Sequence, residues 1–331
     1  MTSDDSISYH SFPLIIEPKS QEDSNDAISL LSQYYDDLKK QLQSHGALLF
    51  RGFRFDSIPD FERFVDAFFV GSRSLGYAGG ISIRRKVIEG VYTSTEYPSY
   101  IPLRCHNEMS YLEEIPHYIC FYCHTAAKEG GETPIADCRR VLRSLDPELR
   151  RRFEEKGISY KRHLASRART LFSFHHRFRQ TWQDAFETDD METVESHCRE
   201  HGLTIRWDWF GGLTLSNTLP AVRRHPETGE VVWCNQAHLF KVVPENVGWL
   251  LCLTSRVVDL LVGRGNRALD SSFGDGTHIS RSDIRAILQA FEENTVRYSW
   301  HKGDVMVLDN YLVAHGRMPF KGPRKILVAM R

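Results

Sequence analysis

His106 and Glu108 stand two positions apart in RCHNEMSY, and a second histidine of the same chemical type, His315, follows far downstream in VMVLDNYLVAHGR. Two imidazoles and one carboxylate suit a metal ion that must also keep positions open for oxygen and a small organic partner. Along a strand, residues i and i+2 share a face, so the spacing directs His106 and Glu108 toward one ion and Asn107 elsewhere. Alone the pair is weak, because a satisfied strand histidine and a capping carboxylate produce the same letters. Two further residues point the same way. Arg324 opens the last apolar run, where a guanidinium fork suits the far carboxylate of a chelating cosubstrate. Thr133, in GGETP, sets a hydroxyl behind a glycine pair that permits close backbone approach.

Other chemistry-bearing residues admit plainer readings beside functional ones. Asn235 and Gln236 in VVWCNQAHLF project amides toward a bound substrate or make structural hydrogen bonds. Arg317, two past His315, meets substrate or cosubstrate, or ties down its turn. Pro98 to Arg104 reads as a mobile lid, with Thr95 and Glu96 lining the pocket beside Asn107. CFYCH, Cys120 to His124, has the form of a haem attachment site, but it lies within an apolar run that reads as a core strand. His197 and His201 have zinc-like i, i+4 spacing on a charged stretch that reads as a solvated helix face, and His175–His176 is no better supported. Trp207, Trp209 and Phe210 line a pocket or, more commonly, fill a core.

These residues need a frame. The chain has 331 residues, enough for a large core without staples. No repeat, low-complexity tract or linker divides it, so residues 1–331 read as one domain. Forty-two basic against forty-three acidic residues argue against partners bound through a basic face, namely nucleic acid or anionic membrane. The first residues are polar and acidic, and seven cysteines form no even framework, so a reducing cytoplasm is expected. The longest apolar stretch, Val247 to Gly263, carries Arg256 and Asp259 and reads as a buried helix rather than a membrane span.

Apolar residues at helical spacing (Ile28, Leu31, Tyr35, Leu38, Leu42) predict a helix ending at Gly46 and feeding the strand ALLF. Further helices are expected over 60–69 and 139–156, and Ser280-x-x-Asp283 resembles a capping box opening a helix to about 295. Strands fit VRYSW at 296, VMVLD at 305 and KILVAM at 325. Between about 160 and 230 the chain is charged and aromatic without clean periodicity, as suits a lid-like insert better than a core.

With CHNEMSY, GGETPIADCRRVL, WCNQAHLF, SFGDGTHI and GDVMVLDNYLVAHGR together, the sequence resembles the TauD/TfdA superfamily of taurine dioxygenase and clavaminate synthase-like oxygenases, nearest its SyrP-like branch. The resemblance runs almost end to end. It implies a mainly β fold with surrounding helices, a double-stranded β-helix or jelly roll, and Fe(II), 2-oxoglutarate and O2 as cofactor and cosubstrates. It further implies that His106, Glu108 and His315 ligate iron, that Thr133 touches 2-oxoglutarate, and that Arg324, with Lys325 the neighbouring alternative, pairs with its far carboxylate. Where relatives place a second arginine for an acidic substrate, this chain has Val328. The carboxylate ligand argues against a halogenase. The implied reaction is hydroxylation, or desaturation or cyclisation, of an amino acid or amino-acid-derived small molecule. That substrate would be free or held on a peptide-synthetase carrier domain. A catalytically silent ligand sensor of the same fold is the alternative class.

Overall fold

A computed structural model describes residues 12–20, 24, 27–72, 84–95, 97–170, 180–249, 252–254, 257 and 268–331. Among these residues strands predominate over helices. The largest sheet has seven strands in the spatial order Leu14–Ile16, Ala47–Phe50, Val305–Asp309, Tyr118–Thr125, Lys325–Met330, Val91–Thr93 and Lys86–Ile88. Its first pair is parallel and the others are antiparallel.

Tyr118–Thr125 is flanked by strands on both sides and covered on both faces, which is why its sequence is an unbroken apolar run rather than an alternation. The period of two still divides its side chains. Ile119, Phe121 and Cys123 join Leu49, Met306, Leu308 and Val328 in the central core. Tyr118, Cys120 and Tyr122 join Leu48, Phe50, Val305 and Leu327 under the helices Ala27–His45 and Ile58–Phe68. The second helix starts at a Ser57/Asp60 capping box, with Pro59 in its first turn, and buries Phe61, Phe64 and Phe68. Each such ring contributes roughly 1.5–3 kcal/mol by leaving water.

A second, four-stranded sheet orders Thr295–Val296, Ile135–Asp137, Val313–Arg317 and Leu103–His106. Ile135, Ala136, Val313, Ala314 and Cys105 close the central core from that side. Both histidines of interest ride on this smaller sheet, where His315 and His106 are register partners. Close approach there depends on Gly316: a Cβ would stand 2.5 Å from the Leu103 carbonyl oxygen.

The helix at Ala27–His45, the strands at 47, 305 and 325, and the Ser280/Asp283-capped helix Arg281–Glu293 agree with the sequence pattern. Other expectations need correction. The single helix over 139–156 is two, Cys138–Ser144 and Pro147–Lys156, because Pro147 removes a donor and pushes its predecessor out of the helical region; Asp146 then caps the second. VRYSW yields only the short strand Thr295–Val296. The 160–230 region is not coreless. Ile158–Leu164 pairs with Leu213–Leu219 and Leu269–Phe273, and Thr204–Trp207 completes a separate antiparallel sheet. Leu164, Trp182, Val194, Cys198 and Leu213 form its own apolar cluster. Its first strand alternates buried and half-buried, but one inward position is Arg162, buried against the Tyr111 ring, and that charge masks the period in the sequence. Within 247–263, Trp249, Leu253 and Val257 are exposed, so those residues do not form the buried helix expected. Trp209 and Phe210 are also at the surface, and only Trp207 packs, edge-on against Trp182. Among the described residues no helix is long and apolar enough to cross a membrane, and all seven cysteines are free and buried.

Candidate metal centre

His106, Glu108 and His315 are buried and bring one ligand atom each within 4.8 Å of one another. His106 ends the strand Leu103–His106, and the adjacent strand sets His315 beside it with ring centroids 4.7 Å apart. Glu108 arrives by a different route from the one expected. The strand stops at His106, and Glu108 lies in a turn whose next residue, Met109, has a φ of 56°. Asn310 holds that turn. Its side-chain oxygen accepts from the Glu108 backbone N–H (2.7 Å), and its amide donates to the Glu108 carbonyl (3.0 Å) and to that of Pro116 (2.8 Å). The chain thus completes a ladder with a side chain where no strand is available.

Protons follow from the partners. His106 Nδ1 lies 2.8 Å from the Arg104 carbonyl oxygen, which can only accept, so Nδ1 carries the proton and Nε2 keeps its lone pair. Metal-ligating histidines are commonly fixed by such a bond. Burial, and next the His315 ring, push the His106 imidazole down to about 3, keeping it neutral. His315 Nε2 faces Glu108 Oε2 at 3.6 Å, while its Nδ1 is buried without a hydrogen-bond partner. Burial raises the Glu108 carboxyl, but the charge of Arg84 and the bond with His315 outweigh it and hold the group ionised, below the carboxylate range. A neutral imidazole with a fixed lone pair, a carboxylate and a second imidazole in a dry pocket fit a divalent cation such as iron(II).

Thr133 and Arg324 meet at the glycine pair. Thr133 is buried and its hydroxyl accepts from the Trp300 indole N–H at 3.0 Å. Arg324 Nε donates to the Gly131 carbonyl at 2.9 Å, and its guanidinium lies over the Phe320 ring, leaving its terminal amino groups without a described partner. Burial, then the neighbouring Arg317, lower its pKa to about 10, so it stays charged at neutral pH. Gly131 is required twice: its φ is 76°, and a Cβ would crowd Arg324 Cδ at 3.1 Å. Lys325 is exposed at the start of its strand.

The structure places the residues considered for substrate elsewhere. Asn107 turns into the core and donates to the Asn310 carbonyl (2.7 Å), Asn235 donates to the Ala221 carbonyl (2.7 Å), and Gln236 donates to the Asn107 carbonyl (2.6 Å). Asn107 and Gln236 thereby brace the ligand turn, and each amide left unpaired in the interior would be costly. Arg317 spends its terminal nitrogens on the Tyr97, Pro98 and Ile101 carbonyls, which ties down the loop expected to be a mobile lid. Glu96 and His175–His176 lie outside the described residues. His197 and His201 stack on each other, and neither belongs to a three-residue metal-type cluster among the described residues.

Two features near the site escaped sequence reasoning. Arg84, buried beside Glu108, follows no motif spacing. The other is a second cluster, buried His225 and Asp309 with half-buried His117, whose ligand-type atoms also lie within 4.8 Å of one another.

A family model described as taurine catabolism dioxygenase TauD, TfdA family matches residues 13–330. The chain is 35% identical over 289 residues to the dapdiamide synthesis protein DdaC of Enterobacter agglomerans, covering 87% of this chain and 83% of that one. It is 31% identical to a clavaminate synthase-like protein of Arabidopsis thaliana, across 96% of this chain and 93% of the other. Its fold is similar to that of PvcB from Pseudomonas aeruginosa, an Fe, alpha-ketoglutarate dependent oxygenase from an isonitrile synthetic pathway. The TM-score is 0.52 at 16% identity, over 96% of this chain and 85% of that chain.

Proposed function

From the premise that the chain belongs to the TauD, TfdA family of dioxygenases, we propose that it hydroxylates an amino acid or amino-acid-derived small molecule in natural-product biosynthesis. Iron and 2-oxoglutarate are its cofactor and cosubstrate, with O2. The observation that carries the reading is the buried convergence of His106, Glu108 and His315 with the His106 tautomer set for metal. In this reading the three residues hold iron, the two sheets are the halves of a double-stranded β-helix core, and the 160–230 insert covers the mouth of a single domain.

Iron held with 2-oxoglutarate would let O2 act as the oxidant, two of its four electrons coming from decarboxylation of 2-oxoglutarate to succinate and two from the substrate C–H bond. The protein's own residues do the placing. Arg324 offers its two unengaged amino groups to the far carboxylate of 2-oxoglutarate, while its third bond, to Gly131, fixes the fork's direction. Thr133, with its hydroxyl held by Trp300, donates toward the same cosubstrate. His106 Nδ1–H on the Arg104 carbonyl fixes the ring plane, and Asn310 fixes Glu108. Phe121, 5.0 Å from the His315 ring, and Val328 next to it across the strands keep that wall apolar. With Val328 on the last strand in place of a second arginine, the substrate's polar groups in this reading are met by the insert. The name of DdaC, a synthesis protein, supports a biosynthetic setting. An aminoacyl group on a carrier domain is one form in which the substrate arrives. Seven buried free thiols suit a reducing cytoplasm.

The test is anaerobic titration of metal-free protein with iron(II) and 2-oxoglutarate, following the visible charge-transfer band of the chelate. The band is expected in wild type and absent in His315→Ala; a folded wild type without it would remove the oxygenase reading.

A further inference from the structure

Glu108 presents one oxygen to two claimants. Oε2 faces His315 Nε2 at 3.6 Å and is therefore the oxygen a shared cation would take, yet the Arg84 guanidinium sits on that same atom at 2.5 Å. Both side chains are almost fully buried, at 3% and 5% exposure. We propose that Arg84 stands in for the metal at Glu108, and that entry of a divalent cation expels its guanidinium into the cavity of the 160–230 insert. The inference rests on the reading of His106, Glu108 and His315 as the metal site.

The charge balance requires a stand-in. Without a metal the cluster holds one ionised carboxylate among imidazoles in a dry interior, and an uncompensated buried charge is strongly destabilising. Arg84 supplies the missing positive charge. Once a dication occupies the cluster, two like-signed centres share a single oxygen in a low-dielectric setting, and the dication, bound by three ligands, holds the position.

The expelled group has a prepared destination. Arg84 lines a cavity of about 450 Å³ whose far wall is the insert's Gln183, Asp184, Glu187 and Asp189. Asp184 and Asp189 already pair with Arg167, whereas Glu187 forms no ion pair among the described residues and sits in the left-handed turn that ends the helix Trp182–Phe186. A guanidinium arriving beside it draws this turn toward the body of the protein. Metal loading then does two things at once: it arms the site and orders the insert's wall of this cavity.

Manganese(II), a redox-stable dication of the same ligand preference, is the probe. Its affinity is measured for full-length wild type, Arg84→Gln and Arg84→Lys, and hydrogen exchange is followed over residues 181–189 with and without metal. Arg84→Gln is expected to bind manganese at least tenfold more tightly, since no cation must be expelled, and to melt lower than wild type when metal-free. Arg84→Lys, with a single-pointed and more mobile charge, is expected between the two. Exchange over 181–189 is expected to slow on metal binding in wild type and not in Arg84→Gln. Equal or weaker manganese binding by Arg84→Gln would overturn the inference and make Arg84 a fixed support for Glu108, as would unchanged exchange in wild type. If Arg84→Gln does not fold, Arg84→Lys decides by the same criterion. Manganese binding that survives His315→Ala would instead indict the metal site itself.

Discussion

Among the described residues two clusters combine two histidines and one carboxylate, one fully buried and one with His117 half-buried, and they are wired in opposite senses. At His106–Glu108–His315 a carbonyl takes the Nδ1 proton of His106, which turns a lone pair toward the cluster. At His117–His225–Asp309 the backbone N–H groups of Glu227 (3.2 Å) and Thr228 (2.9 Å) donate to His225 Nδ1, so that ring must carry its proton on Nε2. There it donates to Asp309 at 2.8 Å, and the other Asp309 oxygen accepts from the Tyr311 and Leu312 N–H groups. At the second cluster the His225 nitrogen that faces Asp309 carries its proton and has no lone pair to offer. Composition and proximity are shared; the partner of a single nitrogen separates a metal centre from a structural knot.

The sharpest way to break this contrast is to remove the two carboxylates separately. Glu108→Ala is expected to lower metal affinity by at least a hundredfold. Asp309→Ala is expected to leave affinity within about threefold while costing roughly 3–5 kcal/mol of stability, because it strands a buried imidazole N–H and two backbone donors. Metal titration alongside chemical denaturation reads both, and loss of metal on Asp309→Ala would erase the distinction. A smaller effect sharpens the contrast on the cosubstrate side: Arg324→Gln should raise the KM for 2-oxoglutarate by roughly tenfold to a hundredfold. Metal affinity should not change, as tested by steady-state kinetics and titration. Smallest is the acid limb of metal-free stability. Burial opposes ionisation of Asp309, but His117 and His225 more than offset it and hold its pKa below the usual value. A carboxyl lowered in the folded state contributes stability above its unfolded pKa, and that contribution is lost as pH falls through about 4 and below. Asp309→Asn should therefore flatten the unfolding free energy between about pH 5 and 3, measured by urea melts.

The legible parts of the molecule were those whose chemistry is local. The capping box at Ser280 and the apolar run at Tyr118 each predict their element, because the residues that make it are sequence neighbours. His106 and His315 were legible as a pair of types, although Glu108 reaches them through a turn braced by Asn310 rather than by strand alternation. Asn107, Asn235 and Arg317 looked available in the sequence because the partner of a buried amide or guanidinium is fixed only by tertiary packing. The strand at Ile158 hid behind Arg162, whose inward guanidinium packs over the Tyr111 ring, distant in sequence. Arg84 could not be read at all, since an ion pair between residues from different parts of the chain leaves no periodicity.

Asp309 and Asn310 are neighbours, yet one is an anchor of the structural knot and the other is the brace of the ligand turn. For anyone diversifying this scaffold, that corner is a fixed datum. Sliding the chain there by one residue would hand each side chain the other's post and disable folding and chemistry together. Within the insert, the part that can be redrawn for a new substrate is the apolar cluster around Trp182 and Val194, because His225 of the same insert holds Asp309 at that corner.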